Sequence, residues 1–110
     1  MLKKDEEQWR TAFLAFKDKE CVGVLTIYEA MALYASGTFG IIQELYVASK
    51  VRSEGVGEQL IVAAKKHGKK YGWNNLEVGT PNPEIWNRTI SLYKRLGFTE
   101  IGFRLKHPLK

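Results

Sequence analysis

The segment that most limits the fold of this chain is Arg52-Ser53-Glu54-Gly55-Val56-Gly57. It joins two apolar stretches of different period. Before it, Ile41-Ile42-Gln43-Glu44-Leu45-Tyr46-Val47 reads as a strand. After it, Glu58 to Tyr71 reads as a helix, with Val56, Leu60, Ala64, His67 and Tyr71 on one stripe and Ile61 and Ala63 beside them. A strand, a glycine turn and a helix in that order imply a crossover to a parallel neighbour. The turn also bears on chemistry. The first N–H groups of a helix lack intrahelical partners, and the helix dipole places roughly half a positive charge there. Gly55 and Gly57 would let an anion approach the backbone, and Arg52 adds a fork of donors. The six residues alone fit either a phosphate cradle or an ordinary tight turn, because short glycine patterns recur by chance.

The remaining elements follow from similar signals. Residues 1–8 are charged and read as frayed or weakly helical. Residues 9–16 and 21–28 are apolar and β-branched, joined by the polar Lys17-Asp18-Lys19-Glu20, and predict an antiparallel hairpin. Gly23 inside the second run suggests a bulge or a close backbone approach. Residues 29–38 fit either a helical turn or an extension of the strand, with a turn at Ser36-Gly37. The strand over 39–48 does not alternate strictly, which suits burial on both faces. Gly68 weakens the helix by about 1 kcal/mol relative to alanine, and Gly72 fits its C-terminal stop. A short strand over 74–79 precedes Thr80-Pro81-Asn82-Pro83. Asn82 and Pro83 then open a helix over 83–96 that Gly97 closes, and residues 98–105 form a last strand. The order β-β-β-α-β-α-β predicts an α+β, mixed α/β domain with one central mixed sheet, occupying residues 1–110 as a single domain.

Bulk properties narrow the function. A length of 110 residues suits one core, and 45% hydrophobic with 26% charged residues is globular. The net charge of +5 is compatible with nucleic acid, an anionic surface or an acidic small molecule. The basic residues are scattered, however, and no aromatic-basic motif marks a nucleic-acid binder. Lys65, Lys66, Lys69 and Lys70 read as a solvated helix face. Cys21 is the single cysteine, so no intramolecular disulfide can form, which suits a cytoplasmic location. Its apolar setting predicts a buried, inert thiol. No apolar signal core or bilayer-length run appears. His67 lies on the apolar stripe with no second metal-ligand residue spaced to join it, so a packed histidine is expected and no metal site.

Three segments together resemble the GNAT superfamily of acyl-CoA-dependent N-acyltransferases. Arg52, Gly55 and Gly57 meet the signature Q/R-x-x-G-x-G/A. The strand Glu44-Leu45-Tyr46-Val47 precedes it, with Val47 five residues before Arg52 as the pattern asks. Leu92-Tyr93-Lys94-Arg95-Leu96-Gly97-Phe98 looks like the family's L-Y-x-x-x-G-F ending of the last helix. The linker Gly79-Thr80-Pro81 with Trp86, Arg88 and Thr89 resembles a subset of bacterial members. The resemblance implies a GNAT-like sheet and an N-acetyltransferase that uses acetyl-CoA as co-substrate and a small amine or peptide amine as acceptor. It implies that the backbone N–H groups of Ser53, Glu54, Gly55, Val56, Gly57 and Glu58 hold the coenzyme A pyrophosphate, with Arg52 adding its charge. It also implies that Leu45, Tyr46 and Val47 line the pantetheine arm, in the wedge between this strand and the one bearing Leu76. Tyr93 stands at the general-acid position, and Glu44 is the candidate base through a water that Gln43 could hold instead. Trp86 would pack in the core or line the acceptor pocket, and Arg88 would reach phosphate or solvent.

The sequence departs from the family pattern at its ends. About eight residues precede the first strand, where members have a strand and two helices, and one strand follows Gly97-Phe98 where two are usual. Ser49 and Ser53 replace common proline and glycine. The departures lead to an expected homodimer that covers exposed sheet edges. They also leave open a second reading, an acyl-CoA-binding module that needs a partner to complete its acceptor site.

Overall fold

The computed structural model describes residues 2–6, 10–32, 37–79, 90–99 and 107–109. The chain divides into two compact units, Met1–Thr80 and Pro81–Lys110. Each is described by itself.

The first unit is a five-stranded mixed sheet in sequential order: β1 (Leu2–Glu6), β2 (Arg10–Lys17), β3 (Glu20–Ala32), β4 (Gly37–Val47) and β5 (Leu76–Val78). The first four pair antiparallel; β5 pairs parallel to β4, as the crossover through the helix α1 (Val56–Lys70) demands. The β2–β3 hairpin turns on Asp18 and Lys19, both at positive φ (51° and 70°), the mirror-type turn whose twist matches the strands. The alternative left open at residues 29–32 resolves as strand, because β3 runs through Ala32.

One face of the sheet carries Thr11, Phe13 and Ala15 of β2, Leu25 and Ile27 of β3, and Ile42 of β4, all buried. α1 packs over β2, β3 and β4 and buries Gly57, Leu60, Ile61, Ala64, His67 and Gly68. Full burial of Leu60 and Ile61 contributes about 1.5–3 kcal/mol each. Helix α1 approaches β3 closely at Gly23. A Cβ there would stand 2.8 Å from Val56 Cγ1 and 3.0 Å from Leu60 Cδ1. The helix ends at Gly72 (φ 72°) by a pair of bonds that run back to its last carbonyls. Gly72 N–H donates to Lys69 C=O (3.2 Å) and Trp73 N–H to Gly68 C=O (2.9 Å). The Trp73 ring then lies against Gly68 and Gly40, so Gly68 is a seat for tryptophan as well as a weak point in the helix. His67 is packed as expected, with Phe13, Tyr71 and Trp73 around its ring at centroid distances of 5.7, 4.7 and 5.3 Å.

Four expectations are corrected. Residues 2–6 form a strand, held by pairing of Leu2 through Glu6 with Ala15 through Thr11 and not by local propensity. The stripe of α1 is displaced, since Tyr71 is about half exposed while Gly57 and Gly68 are buried. Cys21 is exposed. By simple alternation it would share the core face of Gly23, Leu25 and Ile27. Ala15 faces Gly23 while Phe16 faces Cys21, so Val22 is an extra residue that reverses the parity. Strand β4 is not buried on both faces, because Gln43, Glu44 and Tyr46 are exposed. Its broken alternation has the same origin, a bulge at Gln43.

In the second unit residues 90–95 are helical. Gly97 (φ 101°) closes the helix as Gly72 closes α1: Gly97 N–H donates to Lys94 C=O (3.1 Å) and Phe98 N–H to Tyr93 C=O (3.0 Å). The Tyr93 and Phe98 rings meet edge to face at 5.3 Å, the apolar contact that accompanies such an end. Phe98 and Thr99 are not strand, and the rest of the strand expected over 98–105 falls outside the described residues. So do Pro81, Asn82, Pro83, Trp86, Arg88 and Thr89.

Candidate functional site

The site begins at the bulge in β4. Thr26 faces Glu44 and Ile27 faces Ile42, which leaves Gln43 without an opposite number. Beyond the bulge β4 keeps β3 on one edge only. β5 ends at Val78, in register with Ile42, and among the described residues no strand pairs with β4 beyond that point. Ala48 N–H donates to Val22 C=O at 2.8 Å. Backbone polar groups in an antiparallel ladder alternate between the two edges. Those of Ala48, Tyr46 and Glu44 therefore turn toward β3, and those of Leu45 and Val47 toward the open edge. An extended ligand carrying amide groups can pair there as an added strand does.

The open edge runs into the start of α1. A 3₁₀ turn, Ser49–Glu54, leads to Gly55, which stands in the left-handed region (φ 78°, ψ 15°) as the residue preceding α1. Among the described residues no side chain caps the helix. Gln59 N–H donates to the Gly55 C=O at 3.0 Å, so the N–H groups of Val56, Gly57 and Glu58 lie ahead of the first intrahelical bonds. Among the described residues a Cβ on Gly55 would meet nothing within 4 Å, which leaves space beside it. Arg52, Ser53, Glu54 and Glu58 are exposed, Gly55 and Val56 are half-buried, and Gly57 is buried against the core. Val51, almost fully buried, anchors the turn. These features fit a diphosphate: uncovered donors, a dipole of the right sign, and open space at a glycine.

Glu44 is exposed on the face opposite α1, and Thr26 Oγ1 donates to its Oε1 at 3.4 Å. Tyr46, on the same face, is 59% exposed. Leu45 and Val47 are half-buried. The structure thus brings Glu44, Leu45, Tyr46, Val47 and the loop 52–58 together on one continuous run of chain. Tyr93 belongs to the second unit. It is buried, and burial pushes its phenol from about 10 up to about 12. Sequence reasoning missed the ion pairs that hold the loop from outside. Lys17 Nζ lies 3.0 and 3.2 Å from the two carboxylate oxygens of Glu54, and Lys50 pairs with Glu20. No local signal marks them, because 37 and 30 residues separate the partners. Among the described residues no group of His, Cys, Asp and Glu is placed to hold a metal ion, and no helix is long and apolar enough to cross a membrane.

Comparison with known proteins finds relatives over most of the chain. The family described as "Acetyltransferase (GNAT) domain" matches residues 8–100. The chain is 29% identical over 97 residues to an aminoalkylphosphonate N-acetyltransferase of Salmonella typhimurium, covering 87% of this chain and 61% of that protein. It is 31% identical over 61 residues to the acetyltransferase Atu2258 of Agrobacterium fabrum, covering 56% of this chain and 42% of the relative. The chain therefore spans less than two thirds of the length of either. Among solved structures, an aminoglycoside acetyltransferase from an uncultured soil metagenomic sample superposes with a TM-score of 0.85 at 27% identity, covering 96% of this chain and 69% of that one. The strand–bulge–turn–helix run from Gln43 to Glu58 lies within the matched residues, and the chain belongs to the GNAT acetyltransferase family.

Proposed function

We propose that this chain is an acetyl-CoA-dependent N-acetyltransferase that moves the acyl group of a coenzyme A thioester to a primary amine by direct attack. The observation that carries the proposal is the continuity of two binding features. The open edge of β4 at Leu45 and Val47 leads directly to an uncapped helix N-terminus at Gly55. An amide-bearing arm on the first and a pyrophosphate on the second describe coenzyme A. In this reading Arg52 supplies charge, and the backbone of Ser53, Glu54, Gly55, Val56, Gly57 and Glu58 holds the pyrophosphate. The pantetheine arm lies along Leu45, Tyr46 and Val47. The amine acceptor is supported by two relatives, named for acting on an aminoalkylphosphonate and an aminoglycoside.

In the reaction the amine nitrogen forms a bond to the acyl carbon and the C–S bond breaks. The incoming ammonium group loses two protons. One returns to the thiolate and one reaches solvent. An alkylamine with a pKa near 10.4 costs roughly 4–5 kcal/mol to deprotonate at pH 7. Glu44, exposed on the strand beside the open edge, takes that proton through a water. Tyr93 is assigned to the thiolate by its place in the Leu92–Phe98 motif. Its phenol, at about 12, stays protonated at neutral pH. Complete transfer to a thiolate of pKa near 8.5 would be uphill by roughly 5 kcal/mol. Tyr93 therefore acts as a hydrogen-bond donor while charge develops on sulfur, and the ammonium protons complete the balance.

Use of this donor supports a cytoplasmic location. The place of β1 at the end of the described sheet supports a homodimer in which a second copy covers that edge. Thiol release from acetyl-CoA across a panel of primary amines tests the central reading. Release with at least one amine is expected. Coenzyme A binding without release for any amine would reduce the chain to an acyl-CoA-binding module.

A further inference from the structure

We propose that Lys17, at the tip of the β2–β3 hairpin, is a positioning residue for the donor site: it holds and neutralises the Glu54 carboxylate so that the adjoining N–H groups can accept a diphosphate. The proposal rests on the coenzyme A reading of the loop.

Glu54 is an awkward residue for an anion site. It precedes Gly55 directly, and its carboxylate repels any phosphate bound at the backbone of 53–58. The structure shows how that charge is handled. Lys17 Nζ takes both Glu54 oxygens, at 3.0 and 3.2 Å. A second pair of opposite polarity, Lys50 with Glu20, joins the same two segments. The hairpin thus gives one cation and one anion, and the turn gives one of each. Between the pairs, the buried Val22 and Val51 and the Ala48 N–H to Val22 C=O bond fix the turn to β3. The sharp turn at Asp18 and Lys19 puts Lys17 and Glu20 side by side at the hairpin end. Both side chains of the Lys17–Glu54 pair are about half exposed, at 53% and 45%, so the pair contributes little to stability. Its consequence falls on what binds next to it.

The test is a double-mutant cycle read by calorimetric titration of coenzyme A, with KM for acetyl-CoA and for S-acetylpantetheine, which lacks the diphosphate. Lys17→Gln is expected to raise the Kd for coenzyme A and the KM for acetyl-CoA on the order of fivefold, with kcat and the KM for S-acetylpantetheine unchanged. Lys17→Arg restores binding. In a Glu54→Gln background, Lys17→Gln has no further effect, because no charge is left to neutralise. A melting temperature equal to that of the wild type separates this from a folding defect. Unchanged affinity in Lys17→Gln overturns the proposal, and so does an equal loss in the Glu54→Gln background, which would make Lys17 a direct phosphate contact. Failure of the wild-type protein to bind coenzyme A would instead overturn the reading of the loop itself.

Discussion

At Gly55 the backbone stands at φ 78°, where an L side chain is strained although open space surrounds it. Gly55→Ala should therefore cost about 1–2 kcal/mol by chemical denaturation, from backbone strain alone. It should also weaken coenzyme A binding by a larger factor than that loss explains, because the methyl group occupies the space proposed for phosphate. Tyr93 makes a prediction of a different kind. Its folded pKa, about 12, lies above the ordinary value near 10. Below pH 10 both states hold the proton and the phenol's burial carries no ionisation cost. As pH rises from 10 toward 12 the unfolded chain ionises and the folded one does not, so stability falls. Urea unfolding at pH 8 and at pH 11 should show that loss in the wild type, and a smaller one in Tyr93→Phe. The same variant should lower kcat on the order of 10- to 100-fold at neutral pH. At this scale the sequence made Gly55, Gly72 and Gly97 legible, since each lies where a strand or helix pattern stops. It did not reveal Cys21, whose exposure depends on the extra residue Val22 in a pairing register.

Between elements, the decisive contact is that of β3 with α1 at Gly23. A methyl group there would stand 2.8 Å from Val56, the first residue of the helix. Gly23→Ala should destabilise the fold by about 1–3 kcal/mol through overpacking. It should also displace the N-terminus of α1, so that coenzyme A affinity falls with stability. A larger loss of stability, about 2–5 kcal/mol, is expected for Leu60→Ala from the cavity it leaves, again by denaturant titration. The hairpin, the crossover helix and its glycine stop were readable from periodicity and turn chemistry. The strand over Leu2–Glu6 was not, because its charged residues carry no strand signal and only the edge of β2 makes them extended. The bulge at Gln43 was equally hidden. It appears in sequence as a lapse of alternation, which burial on both faces would also produce. That bulge, with the early end of β5, separates an ordinary sheet from one with an open edge at Leu45 and Val47.

For the molecule as a whole, family and fold were both legible, because the loop and the Leu92–Phe98 ending are short motifs with local causes. The ending owes its form to a glycine-closed helix in which Phe98 packs on Tyr93. The acceptor is another matter, since no local motif encodes a surface assembled from distant segments. Sedimentation at micromolar concentration tests the proposed homodimer, and a monomer there would refute it. The donor site allows the most direct test of the central claim. Coenzyme A titrated into ¹⁵N-labelled protein should shift the amide resonances of Leu45, Val47 and residues 53–58, with the largest changes at Gly55 to Glu58. No shift in that segment at millimolar coenzyme A, or shifts confined to the lysine-rich face of α1 at Lys66, Lys69 and Lys70, would contradict it.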